Sequence, residues 1–208
     1  MIEQKGKLQG SERFDPFTNR TARDIRNSLS DAFVAALAAK EPQQYLNIAQ
    51  KWQEQNLSAR HNEYIANRLL RYDLVFDEIQ AGRIEDPLQR ALVIWNQRLF
   101  FEFHDHLETI WKSATGDQRQ ALKGLIKAAG VYIHLEQHHR QAAKSLAMKS
   151  YQLLRQYVHC LAFIANYETL LDKLESGDPV PPLLKRISDK TNKTARRLDA
   201  GAGKESAC

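Results

Sequence analysis

Two cysteines, two methionines, six prolines and nine glycines in 208 residues leave this chain poor in crosslinks and in chain-breaking residues. Cys160 sits in an apolar stretch and Cys208 lies far from it, so no disulfide framework is expected. No run approaches the roughly 18 apolar residues of a membrane helix. The opening MIEQKGKLQGSERFDPF lacks the apolar segment of a secretory signal. These absences predict a cytoplasmic protein with no membrane contact. No stretch alternates apolar and polar residues between turn signals, which excludes an ordinary sheet. No repeat recurs at a fixed period, and no serine or cysteine stands in a recognisable nucleophile motif.

What is present is helical periodicity. A first helix is expected over about Ala22–Lys40, where Ile25, Leu29, Phe33, Ala36 and Leu37 recur at helical spacing. It follows an irregular arm over residues 1–20, with Phe14 and Phe17 flanking Pro16 as anchors. Pro42 permits a second helix through Tyr45, Ile48 and Trp52. Ser58 is placed to cap a third, which reaches Ala81 with Gly82 as its stop. Asp86-Pro87 is a stronger start signal and opens a helix predicted to reach Lys112. Thr115-Gly116-Asp117 separates it from a helix running to about His139. Two more helices follow, the second through Leu161–Leu174, and Pro179–Leu184 reads as an extended strap. The expectation is an all-α bundle of six or seven helices. Its parts are an N-terminal helical layer over 1–85, a bundle domain over 86–176, and a strap with a basic, disordered tail over 177–208.

The formal net charge is +5. Between Lys185 and Cys208 seven basic residues face three acidic ones, so nearly all of the excess belongs to that tail. Such a tail could touch nucleic acid, or simply be solvated.

Five of the seven histidines fall between Leu99 and His139. On a helical wheel Leu99, Phe100, Phe103, Leu107, Ile110 and Trp111 share an apolar arc, with His104 and Glu108 together at one edge. Glu102 and His106 lie at the other edge, and Asp105 points away. The next helix is apolar around more than half its circumference, with Lys123, Lys127 and His134 on the remaining face. Gly124, Ala128, Ala129 and Gly130 leave room for a close neighbour.

If those edges meet, three readings compete for the resulting His-Glu-His cluster. It could hold a divalent metal through His104, Glu108 and His134, although His-Asp-x-x-Glu lacks the second histidine of the zinc-protease motif. Glu136-x-x-His139 matches one half of a carboxylate-bridged di-iron motif, which requires two copies. It could perform metal-free acid–base chemistry, with Glu108 orienting His104. Or it could be a structural hydrogen-bond network tying two helices together, the reading favoured on sequence grounds. His61 and His159 lack clustered partners and read as structural.

These same residues resemble the family called domain of unknown function 309. Its pattern of an aromatic pair, Glu-x-His-Glu, Leu-Glu and Trp is met by Phe100-Phe101-Glu102-Phe103-His104-Asp105, Leu107-Glu108 and Trp111. Gly124-Leu125-Ile126-Lys127 and His134 follow. Asp105 replaces a glutamate, Lys127 a glutamine, and His138-His139 a Gly-Asn that turns the chain after the second helix. The resemblance covers about residues 87–157 and implies a helical bundle, with Glu102, His104, Glu108, Trp111 and His134 as the positions to examine. It implies no activity.

Together these readings predict a binding or interaction module whose candidate polar site is Glu102, His104, Asp105, Glu108, Trp111, Lys127 and His134. The sequence leaves open whether it is an enzyme. The alternatives are a small metal-dependent hydrolase or oxidoreductase using His104, Glu108 and His134, and nucleic-acid binding through 185–208. A protein partner or a homodimer is also open, because the first three helices could expose an apolar face.

Overall fold

A computed structural model of the chain describes residues 13–187. Eight α-helices and one short 3-10 turn account for its regular structure, and no sheet forms among the described residues. The fold is all-α. None of these helices is long and apolar enough to cross a membrane. The chain divides into two compact units, Met1–Asp77 and Glu78–Cys208.

The first unit holds α1 (Arg20–Ala39), α2 (Gln43–Gln53) and most of α3 (Ala59–Ala81). Asn19 caps α1 by accepting from the Ala22 N–H, and Lys40 closes it in the left-handed conformation. Ile25, Leu29 and Phe33 of α1 are fully buried, as are Ile65, Tyr72 and Val75 of α3. Phe33 stacks on Tyr72 at 4.2 Å, and Tyr45 of α2 meets Tyr72 edge-on at 5.2 Å. The Tyr45 hydroxyl donates to Asp73 (2.8 Å); burial and that carboxylate push the phenol well above its ordinary range. Trp52 donates to Ser28 (2.7 Å). Phe14 stacks on Tyr64, whereas Phe17, expected as a second anchor, is exposed and Pro16 is buried in its place. Leu46, Leu70 and Leu74 are exposed apolar positions.

Gly82 does not end α3 by its own conformation. The left-handed residue is Arg83 (φ 46°), and Ile84 donates back to the Ile79 carbonyl. Gly82 is instead confined sterically, since a Cβ there would meet the Glu78 carbonyl at 3.1 Å.

The second unit holds α4 (Pro87–Asn96), α5 (Phe100–Ser113), α6 (Gly116–Glu136), α7 (Arg140–Gln156), the 3-10 turn Val158–Leu161 and α8 (Tyr167–Ser176). Asp86 caps α4 through both the Leu88 and Gln89 N–H groups, with Pro87 at the first helical position. The single helix expected from 87 to 112 is two. Arg98 turns left-handed (φ 56°), and Leu99 donates to the Ile94 carbonyl across the break. The cause is tertiary: Asn96 uses both ends of its amide on the backbone of Leu184, 88 residues away. Likewise, the helix expected from Leu161 begins only at Tyr167. Residues 164–166 are engaged with the strap instead. Ile164 bridges Arg186, Ala165 donates to Lys185, and Asn166 bonds both Leu183 and Lys185.

Helix α6 is the centre of this unit, packed against α5 and α7. Leu125, Ala128 and Ala129 are completely buried. A Cβ on Gly124 would lie 2.7 Å from Leu154 of α7, so only glycine admits that neighbour. Ser150 fixes the same approach by donating to the Gly124 carbonyl (2.8 Å). Trp95, Phe100, Phe103 and Tyr132 form an aromatic cluster beside it, with centroid separations of 5.0–5.4 Å. The Trp95 indole donates to Pro182 (2.8 Å), pinning the strap.

Candidate functional site

Helix α5 carries polar side chains in two settings. Glu102 is completely buried and His106 nearly so, one turn apart on the core side with Phe103 and Leu107. His106 Nε2 lies 3.0 Å from the Pro87 carbonyl. A carbonyl can only accept, so this nitrogen carries the proton. Burial holds the imidazole below its ordinary pKa, more than the Pro87 bond raises it, and Arg90 adds to the depression. His106 is therefore a neutral ring that ties α5 to the start of α4.

His104 lies on the half-exposed edge. Its Nδ1 is 3.1 Å from Asp105 and its Nε2 is 3.6 Å from Glu108, with Phe101 lying parallel at 6.1 Å. Both carboxylates come from the same helix as the ring they face. This is a local arrangement that α5 can make by itself.

His134 is placed differently, in the last turn of α6, with its Nδ1 3.4 Å from Nδ1 of His139. Burial lowers its pKa and His139 lowers it further. At that separation one nitrogen can donate to the other, which joins the end of α6 to the residue before α7. Among the described residues no group of three His, Cys, Asp or Glu side chains is placed to hold a metal ion. Glu136 and His139 do not share a helical face, because α6 ends at Glu136 and His139 precedes α7. Between them His138 adopts φ 59°, the conformation that glycine takes most cheaply. The helix expected to reach about His139 thus turns where the family pattern has glycine.

Trp111 is half-buried under Arg119, whose guanidinium lies 3.9 Å from its ring centroid and also donates to Ala114 (3.1 Å). Lys127 is half-buried on α6, and Lys123 is exposed. Asp117 at the start of α6 meets the exposed His159 (3.1 Å). Ser58 meets His61 (2.6 Å), so both isolated histidines are engaged. Of the tail, Lys185 to Ile187 are described; Lys190, Lys193, Arg196, Arg197 and Lys204 lie outside the described residues.

The concave surface lies elsewhere. A groove of about 840 Å³ runs between α6, α7 and α8, lined by Val131, Leu135, Ala143, Ala147, Met148 and Leu174 among others. A second cavity of about 260 Å³ is lined by Arg98, Phe100, Tyr132, Glu136, His138 and Pro181 among others. Leu135, Arg140 and Pro179 line both. Sequence reasoning did not single out this surface.

The geometry defines a class first: an all-α helical domain built around a central small-residue helix, with a polar motif on the helix before it. Residues 88–146 match the model of the family described as Domain of unknown function (DUF309). The match spans α4, α5 and α6 and the start of α7. No curated protein and no solved structure matches the chain.

Proposed function

We infer that the second unit is a binding module for a small, largely apolar ligand, and that the His104 cluster serves cohesion rather than chemistry. The observation that carries this reading is the groove between α6, α7 and α8. Its volume of about 840 Å³ falls within the roughly 300–1,000 Å³ of ordinary small-molecule sites. Its floor is aliphatic, and Met148, 60% exposed at its side, supplies the adaptable surface that ligand sites use. The buried Glu102 and His106 then belong to the core, and His104, Asp105 and Glu108 to the helix edge. The free thiol of Cys160 fits a cytoplasmic setting.

The test uses the full chain with an environment-sensitive naphthalene sulfonate dye. The reading predicts saturable binding, with Met148→Glu weakening it about tenfold by placing a charge against an apolar ligand. Dye binding that Met148→Glu leaves unchanged would overturn the groove as the site.

A further inference from the structure

The shared wall of the two cavities carries more than the groove alone does. Leu135, Arg140 and Pro179 pass from one to the other, so an apolar groove opens onto a smaller polar compartment. That compartment is lined by two arginines, Arg98 and Arg140, and by the carboxylate of Glu136. Arg98 and Glu136 each already have an interaction of their own, which leaves Arg140 as the cation available there. The Arg140 guanidinium has no hydrogen-bond or ion-pair partner among the described residues. Tyr132 lines the same compartment, is only 2% exposed, and its hydroxyl has no hydrogen-bond partner among the described residues. A buried hydroxyl without a partner is a costly feature unless something else meets it. Its ring is fixed by stacking on Phe100 and by the edge contact with Trp95, so the hydroxyl cannot turn away cheaply. The two turns beside it, at Arg98 and His138, end α4 and α6 at positive φ, as Lys40 and Arg83 end α1 and α3.

We propose that this compartment binds the head of a single-chain carboxylate whose apolar body lies in the α6–α7–α8 groove. Arg140 supplies charge to the carboxylate, the Tyr132 hydroxyl donates one hydrogen bond to it, and Arg98 closes the other side. A monoanion matches the single available guanidinium of Arg140. A dianionic head would meet Glu136 and, close by, Asp178, the carboxylate that together with burial raises the Tyr132 phenol. Asp178 is engaged by Lys173 (2.6 Å) and the Val180 N–H (2.8 Å) and makes no hydrogen bond to the Tyr132 hydroxyl. The inference rests on the groove being a ligand site and adds to it the chemistry of the head group.

The experiment is calorimetric titration of the full chain with decanoate and, separately, with decanol. The proposal predicts decanoate binding at least about tenfold tighter than decanol, the difference that one charge-assisted hydrogen bond supplies. Tyr132→Phe and Arg140→Gln should each erase most of that preference while leaving decanol binding unchanged. Thermal melting of Tyr132→Phe provides the folding control, because the lost hydroxyl leaves no partner behind among the described residues. Equal binding of acid and alcohol, or a preference that survives both variants, would overturn the carboxylate assignment while leaving the groove intact. Binding of neither ligand would overturn the groove reading, and the head-group assignment with it.

Discussion

The polar edge of α5 and the compartment around Tyr132 belong to the same unit, yet they are built on opposite principles. At His104 each ring nitrogen already faces a carboxylate of the same helix, and the aromatic neighbour Phe101 is also its own. Around Tyr132 the lining comes from the α4–α5 turn, the end of α6, the start of α7 and the strap, and a buried hydroxyl is left unmet. His104 has its polar neighbours within one turn of its own helix, one at hydrogen-bond distance and one at 3.6 Å. Tyr132 is held by distant elements, with its hydroxyl unpartnered among the described residues. The conspicuous polar residues of the sequence are thus locally paired here, and the proposed binding surface is assembled from residues that are individually unremarkable.

The comparison breaks most forcefully at Trp95, which anchors both the aromatic cluster and the strap that walls the compartment. Trp95→Ala should cost about 3–5 kcal/mol of stability in urea unfolding, the usual range for a buried tryptophan. A loss below about 1 kcal/mol would mean that the strap and cluster are not coupled to the fold. Next is His106, the buried histidine that does structural work. Replacing it with alanine should cost about 1–3 kcal/mol through the lost Pro87 bond and burial. Its pH signature has a definite sign. The folded-state pKa lies below the ordinary 6.5, so above 6.5 neither state binds the extra proton and stability is flat. Below 6.5 the unfolded chain takes up a proton that the folded chain refuses, so stability falls as pH drops towards the folded pKa. His134 is shifted in the same direction and adds to the slope. The His106→Ala variant should show a shallower slope below pH 6.5; an unchanged slope would assign the effect to other groups.

His104→Ala should be milder, about 0.2–1 kcal/mol, because its pairs are half-exposed and local. Smallest is Tyr132→Phe, expected to be neutral or slightly stabilising in thermal melting, since it removes a buried hydroxyl that has no hydrogen-bond partner among the described residues. A clear destabilisation by Tyr132→Phe would show that the hydroxyl is satisfied within the protein and would remove it from the ligand account.

Much of the fold could be read from local pattern. The α5 arc correctly gives Leu99, Phe100, Phe103 and Leu107 as core, and Asp86-Pro87 starts α4 as its capping chemistry requires. The arc was displaced at its rim: Ile110 and Trp111 are only half-buried, while Glu102 and His106 are fully inside. Hydrophobicity alone could not anticipate that, because the burial of His106 depends on a carbonyl 19 residues earlier. The break at Arg98 and the late start of α8 were hidden for the same reason. Each depends on the strap, and a side chain such as Asn96 carries no local sign of a partner 88 residues away. The groove was least legible of all, since periodicity describes what one helix buries, not the space that three helices leave between them.

The most direct test of the central contrast is a side-by-side decanoate titration of His104→Ala and Tyr132→Phe in the full chain. The account predicts that His104→Ala binds as the parent does, while Tyr132→Phe loses about tenfold in affinity without losing stability. Decanoate binding that disappears in His104→Ala and persists in Tyr132→Phe would contradict it and return the site to the polar edge of α5.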